Sequence, residues 1–117
     1  MNLQRNSQTP TGEISPKEVK AKLDQGEKVP LLDVREPKEI AIATLENAIY
    51  IPMGQLEGRV AELTPYKDRE LVVYCRSGAR SANCADFLRA NGFKNVLNLT
   101  GGILAWSDTV DPSITKY

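Results

Sequence analysis

One stretch of this sequence gathers the residue types that do chemistry. It runs from Leu71 to Ser81 and reads Leu-Val-Val-Tyr-Cys-Arg-Ser-Gly-Ala-Arg-Ser. A continuous apolar run, as expected of a fully buried strand, ends at Cys75. Helical spacing starts at Ser81, with Ala82, Ala85 and Leu88 on one side and Phe87 beside them. In open α/β sheets, ligand sites form at this edge, where a strand ends and a helix begins. Main-chain N–H groups in such a loop can turn inward and make an anion-binding concavity. The helix start adds partial positive charge, and Arg76 and Arg80 add full charges. A thiol placed there is pushed towards thiolate.

Burial as simple packing is a common fate for a free cysteine. Cys75 is followed by two arginines, two serines, a glycine and an alanine, with nothing larger among its apolar neighbours. That company reads as a nucleophile. The chain has no histidine, which removes Cys–His, Ser–His and His–metal arrangements. Two cysteines cannot supply a four-thiolate zinc site. Activation must therefore come from amides and cations.

The other candidates have two readings each. Arg76 and Arg80 are either solvated surface charges or rim cations that bind an anionic substrate. Ser81 is a helix cap, a donor to the bound sulfur or oxyanion, or both. Asp33 and Arg35 end a different strand at the same sheet edge, where they brace the active loop or simply pair with each other or a helix end. Cys84 falls inside the helix before Phe87 and Leu88, and core packing is expected of it rather than a resolving role. Gly101-Gly102 lacks the dinucleotide signature and reads as a tight turn into a helix. Trp106 reads as core.

The elements that position these residues follow from periodicity and punctuation. Residues 1–12 read as a loosely held arm. Glu13-Ile14 could form a very short strand. Ser15-Pro16-Lys17-Glu18 is a helix start with a capping box, and Gly26 ends that helix. Val29 to Val34 is a strand. A second helix follows Pro37 to about Ala43, with Ile40 as its clearest apolar contact. Asn47 is turn-prone, and Ala48 to Ile51 is a short strand stopped by Pro52. A third helix from about Gln55 carries Leu56, Val60 and Leu63 and closes at Pro65. After the active loop, the helix from Ser81 to Ala90 ends at Asn91-Gly92. A strand over Asn95 to Leu99 and a short helix carrying Ile103, Leu104 and Trp106 complete the pattern. The domain is expected over 13–107, with a tail over 108–117. Strands alternating with helices predict an α/β fold: a mostly parallel sheet with helices on both faces.

With 117 residues, one domain is expected. Fifteen basic and fifteen acidic residues give zero net charge, so neither nucleic acid nor an anionic membrane is expected as a partner. The polar start does not read as a secretory signal, and no run is long enough to cross a bilayer. A cytoplasmic monomer, with its thiols reduced, is the expectation.

Four motifs in order resemble the single-domain rhodanese family of sulfurtransferases: Leu-Leu-Asp-Val-Arg-Glu-Pro at 31–37, Ala-Ile-Tyr-Ile-Pro at 48–52, Val-Tyr-Cys-Arg-Ser-Gly-Ala-Arg-Ser at 73–81 and Asn-Leu-Thr-Gly-Gly-Ile-Leu-Ala-Trp at 98–106. The resemblance covers roughly residues 13–106. It implies a rhodanese-like three-layer fold with a five-stranded sheet. It also implies a persulfide on Cys75, surrounded by the N–H groups of Arg76, Ser77, Gly78, Ala79, Arg80 and Ser81. A small anionic sulfur donor such as thiosulfate, a thiol or protein acceptor, and no metal or organic cofactor go with it. One departure is visible: Ala43 to Ala48 stands where the family usually has Gly-His-Ile-x-Gly-Ala. Asn47 can take the left-handed conformation a glycine would supply there. The loop is Cys-x4-Arg, one residue shorter than in phosphatases and arsenate reductases of related fold, which favours holding one outer sulfur over enclosing a tetrahedral oxyanion. Such an oxyanion enzyme, and a sulfur-carrier module that acts only with protein partners, are the alternatives.

Overall fold

The computed structural model describes residues 12–117. Five strands form one sheet: β1 (Glu13–Ile14), β2 (Leu31–Asp33), β3 (Ile49–Tyr50), β4 (Glu70–Tyr74) and β5 (Asn95–Leu99). Their order is β1-β5-β4-β2-β3 and every pairing is parallel. Five helices connect them: α1 (Pro16–Asp24), α2 (Pro37–Ile40), α3 (Leu56–Arg59), α4 (Ala79–Ala90) and α5 (Gly102–Thr109). The expected α/β three-layer fold is the fold observed. The expected arm, apart from Gly12, lies outside the described residues. Among the described residues, no helix is long and apolar enough to cross a membrane.

Alternation along β4 builds both layers. Leu71, Val73 and then Cys75 face one side, where they pack with Leu56, Leu63, Cys84, Ala85 and Leu88 of the α3–α4 layer. Val72 and Tyr74 face the other, against Val19, Ile103 and Trp106 of α1 and α5. Each face is covered by apolar side chains, so the central strand reads as a continuous apolar run rather than an alternating one. Helix α1 starts as its sequence predicts. The Glu18 N–H donates to Ser15 Oγ at 3.1 Å, and the Ser15 N–H donates to Glu18 Oε1 at 2.9 Å. Asn47 sits at φ 63°, the left-handed conformation expected of it.

Several boundaries differ from expectation. Strands β2 and β3 are shorter than 29–34 and 48–51. Helix α2 stops at Ile40 rather than Ala43, and the residue it buries is Glu39, not Ile40. The expected third helix is broken into a 3-10 turn (Met53–Gln55), α3, and a 3-10 segment (Val60–Tyr66) that contains Pro65 instead of stopping before it. Proline tolerates that tighter winding because its missing N–H costs little in a helix with few regular bonds. Helix α4 starts two residues before Ser81, so Gly78 and not Ser81 occupies the capping position. Helix α5 continues to Thr109, and Val110, Ile114 and Tyr117 fold back against the core.

Candidate active site

Strand β4 lies in the middle of the sheet, between β5 and β2. Its carboxyl end delivers Cys75 to the sheet edge, beside the ends of β2 (Asp33 to Arg35) and β5 (Thr100 to Gly102). Six residues carry the chain from Cys75 into the first turn of α4. The turn is made at Gly78, whose φ of 114° a side chain would oppose. The first amides of α4 have no helical partner. Among them, the Ser81 amide points back towards the sulfur.

Cys75 is 1% exposed and shares its core cluster with Cys84. Its Sγ accepts from the Gly78 N–H at 3.1 Å. Burial is the largest influence on its pKa and acts upward. The Ser81 hydroxyl and the N–H groups of Ser81, Gly78 and Ser77 act downward and together outweigh it, leaving the thiol below its ordinary value. Cys84 has no such donors, and burial, with the nearby Cys75, pushes it up to about 11. The two thiols therefore differ in the direction expected of a nucleophile and a packing residue. Both are free.

The loop is held open from behind. The Cys75 carbonyl accepts from the Ile103 N–H at 3.0 Å, and the Arg76 carbonyl accepts from the Leu104 N–H at 3.1 Å. Both donors belong to the first turn of α5. A planar peptide that sends its carbonyl outward sends the following N–H inward, so α5 aims the Ser77 amide into the loop. The approach depends on Gly102. A Cβ there would lie 2.6 Å from the Cys75 carbonyl oxygen and would also strike the Arg76 carbonyl, on a backbone with φ of 63°. The Gly101-Gly102 turn is thus part of the site as well as a helix entry.

Asn98 on β5 is a second support that the sequence reading did not assign. Its Nδ2 donates to Glu13 Oε2 at 3.0 Å and to the Gly78 carbonyl at 3.2 Å. Both neighbours are acceptors, which fixes that end of the amide as NH2. Its Oδ1 therefore faces Ser81 Oγ, 2.5 Å away. Ser81 has one hydroxyl proton, for which this nearer acceptor competes with Cys75 Sγ at 3.4 Å and the Gly78 carbonyl at 3.3 Å. The amides carry no such conflict. The signal for Asn98 was available: it is the one polar residue in the apolar run Val96-Leu97-Asn98-Leu99.

Asp33 and Arg35 pair with each other, both fully buried. Arg35 Nη2 meets Asp33 Oδ2 at 2.7 Å and Arg35 Nε meets Asp33 Oδ1 at 3.0 Å. Arg35 also donates to the Ala43 carbonyl at 2.8 Å and the Tyr117 hydroxyl at 2.7 Å. It makes no direct bond to the Cys75 loop. Burial alone would favour its neutral form, but Asp33 and Tyr117 hold it charged.

Arg80 does not stand free at the rim. It makes a bidentate pair with Glu39, Nη1 to Oε1 at 2.7 Å and Nη2 to Oε2 at 2.9 Å. Glu39 is 8% exposed and also accepts from the Glu36 N–H at 3.0 Å and the Tyr117 hydroxyl at 2.8 Å. Arg76 is exposed and donates to the Tyr117 main-chain oxygen, with its guanidinium over the Tyr117 ring. Ser77 and Ala79 are exposed, while Gly78 and Ser81 are buried. The structure thus brings together every loop residue singled out, and links Arg35 to Arg80 only through Tyr117 and Glu39. Nothing in the sequence marked Tyr117. Among the described residues, no group of three or more histidine, cysteine, aspartate or glutamate side chains could hold a metal ion.

A five-stranded parallel sheet whose central strand leads through a cysteine loop into a helix start defines the class of α/β protein. The chain belongs to the rhodanese-like domain family, whose model matches residues 15–109. A sulfurtransferase of Allochromatium vinosum is 42% identical over 95 residues, covering 81% of this chain and 87% of that protein. The structure of a rhodanese-like domain protein from Staphylococcus aureus matches with a TM-score of 0.74 at 31% identity, covering 90% of this chain and 97% of the other. The human single-domain sulfurtransferase TSTD1 matches with a TM-score of 0.72 at 26% identity, covering 84% and 96%. In some relatives the domain is part of a longer protein: the chain spans 26% of the length of one from Mycobacterium tuberculosis. These likenesses support a sulfurtransferase of the rhodanese type.

Proposed function

We propose that the protein moves a sulfane sulfur from an anionic donor, such as thiosulfate, to a thiophilic acceptor through a persulfide on Cys75. The Cys75 thiolate attacks the outer sulfur of the donor. A sulfur–sulfur bond forms to Sγ while the donor's own sulfur–sulfur bond breaks, and sulfite leaves with that electron pair. The acceptor, which is cyanide in an assay and a thiol or partner protein in the cell, then takes the outer sulfur and restores the thiolate. Double displacement of this kind gives ping-pong kinetics. The loop amides stabilise the negative sulfur in each state as an oxyanion hole stabilises oxygen.

The observation that carries this reading is a buried thiol at the end of the central strand whose Sγ accepts from the Gly78 N–H at 3.1 Å. The engagement of Arg80 with Glu39 weighs against phosphate-ester hydrolysis, which calls for that guanidinium on the phosphoryl oxygens. Intact-protein mass spectrometry after incubation with excess thiosulfate is the test. A gain of one sulfur atom, absent in Cys75→Ser, is expected. The same gain in the variant, or no gain from thiosulfate and none from a hydropersulfide donor, rejects the proposal.

A further inference from the structure

Three arginines approach the sheet edge around Cys75, and two of them are cancelled. Arg35 is matched by Asp33, and both are fully buried. Arg80 is matched by Glu39 through two short bonds. Glu39 cannot easily turn away, because the Glu36 N–H and the Tyr117 hydroxyl hold the same carboxylate. Arg80 leads the causes that keep Glu39 ionised, with a pKa of about 2. Arg76 is the third guanidinium, and it donates to the main-chain oxygen of Tyr117. Set against the Cys75 thiolate, the side-chain charges of Arg35, Arg80, Arg76, Asp33 and Glu39 sum to zero.

This bears on the donor. Thiosulfate brings two negative charges to a thiolate, and a site with two free arginines would compensate both. The observed site compensates fewer. A hydropersulfide brings its sulfane sulfur on a thiol, with at most one charge at the reacting end. We propose that Glu39 is a specificity-determining residue: by cancelling Arg80 it disfavours dianionic donors and favours sulfur delivered as a thiol-borne hydropersulfide. In that reaction the Cys75 thiolate bonds to the outer sulfur of R–S–SH. The R–S bond to that sulfur breaks, R–S⁻ leaves, and Cys75 carries S–SH. Charge and atoms balance, and no external oxidant is needed. The inference rests on the Cys75 persulfide proposed above and narrows its donor.

The experiment measures second-order rates of Cys75 persulfidation by intact mass, with thiosulfate and with the hydropersulfide of 2-mercaptoethanol. The wild-type protein is expected to react at least about tenfold faster with the hydropersulfide. In Glu39→Gln the ratio of thiosulfate rate to hydropersulfide rate is expected to rise about tenfold, which is ~1.4 kcal/mol of differential transition-state stabilisation. A purely structural Glu39 would slow both donors alike, so an unchanged ratio overturns the inference, as does a wild-type protein that prefers thiosulfate. A second measurement needs no variant. The wild-type thiosulfate rate should be nearly flat in potassium chloride, whereas two uncompensated arginines would make it fall steeply as screening sets in; a steep fall overturns the inference. Failure of both donors to persulfidate Cys75 rejects the sulfur-transfer reading itself, and is thereby distinct.

Discussion

Ser81 Oγ stands 2.5 Å from Asn98 Oδ1 and 3.4 Å from Cys75 Sγ, so the sulfur shares the single hydroxyl proton with a nearer acceptor. The sulfur therefore depends mainly on main-chain donors. Ser81→Ala should raise the pH midpoint of Cys75 alkylation by iodoacetamide yet leave it below 9.0, the ordinary value for a thiol. The same variant leaves Asn98 Oδ1 without its buried partner and should cost ~1–3 kcal/mol in urea unfolding. A midpoint at or above the ordinary value would show that the hydroxyl, not the amides, activates the thiol.

Cys84 provides the contrasting measurement. Its pKa is pushed up to about 11 by burial. In Cys75→Ser, native protein should therefore take up no iodoacetamide at neutral pH, and should gain one adduct only after unfolding. Rapid native labelling of that variant would mean that Cys84 is exposed to reagent and more acidic than its surroundings imply.

Gly102 is where the active loop and α5 come closest. Gly102→Ala adds a methyl 2.6 Å from the Cys75 carbonyl oxygen at a positive φ. Loop and helix must separate, which loosens the bonds from Ile103 and Leu104. A loss of ~2–4 kcal/mol is expected from strain and steric conflict together. Its Cys75 alkylation midpoint should also move up, because the Ser77 amide is no longer aimed. The surface glycine Gly58, with open space around its would-be Cβ, is the control whose alanine variant should be near neutral.

Acid should weaken the molecule through Glu39. Its folded-state pKa is about 2, against an ordinary 4.5. A depressed carboxylate contributes stability in full above its unfolded value, and that contribution is lost as pH falls through the folded value. Stability from Glu39 is thus present above pH 4.5 and disappears between 4.5 and about 2. Thermal melts of wild type and Glu39→Gln across that window should converge as pH drops. Parallel curves would show that the carboxylate is not held by Arg80.

The buried Asp33–Arg35 pair yields a prediction about coupling. Asp33→Ala strands an arginine that is fully enclosed and should cost ~3–5 kcal/mol. Removing both charges, with Asp33→Leu and Arg35→Met, should cost less than the single change. A double variant no more stable than Asp33→Ala would mean that the Ala43 and Tyr117 contacts of Arg35, and not its charge, are what the fold requires.

The parts of this molecule that were legible in the sequence are those written in local patterns. The capping box at Ser15, the apolar run into Cys75, the left-handed Asn47 and the glycine loop each declare their conformation within a few residues. Element ends were less legible where a polar side chain finds a distant partner. Helix α2 buries Glu39 because Arg80 is waiting 41 positions later, and no periodicity rule predicts a buried glutamate. Serine at 81 looks like a cap, but Gly78 can curl the chain earlier and takes that position. Arg80 looked like a free rim cation for the same reason: its neutralising partner lies on another element. Asn98 could have been noticed, since a polar residue inside a buried strand must be satisfied by something.

Tyr117 lies eight residues past the last position that the family shares, yet its hydroxyl joins Arg35 to Glu39. Anyone transplanting this domain into a fusion and trimming it at Thr109 would discard that link. The graft would keep its sheet and its nucleophile but lose a strut between two charged pairs. Its donor preference would then have to be measured afresh rather than inherited from the parent chain.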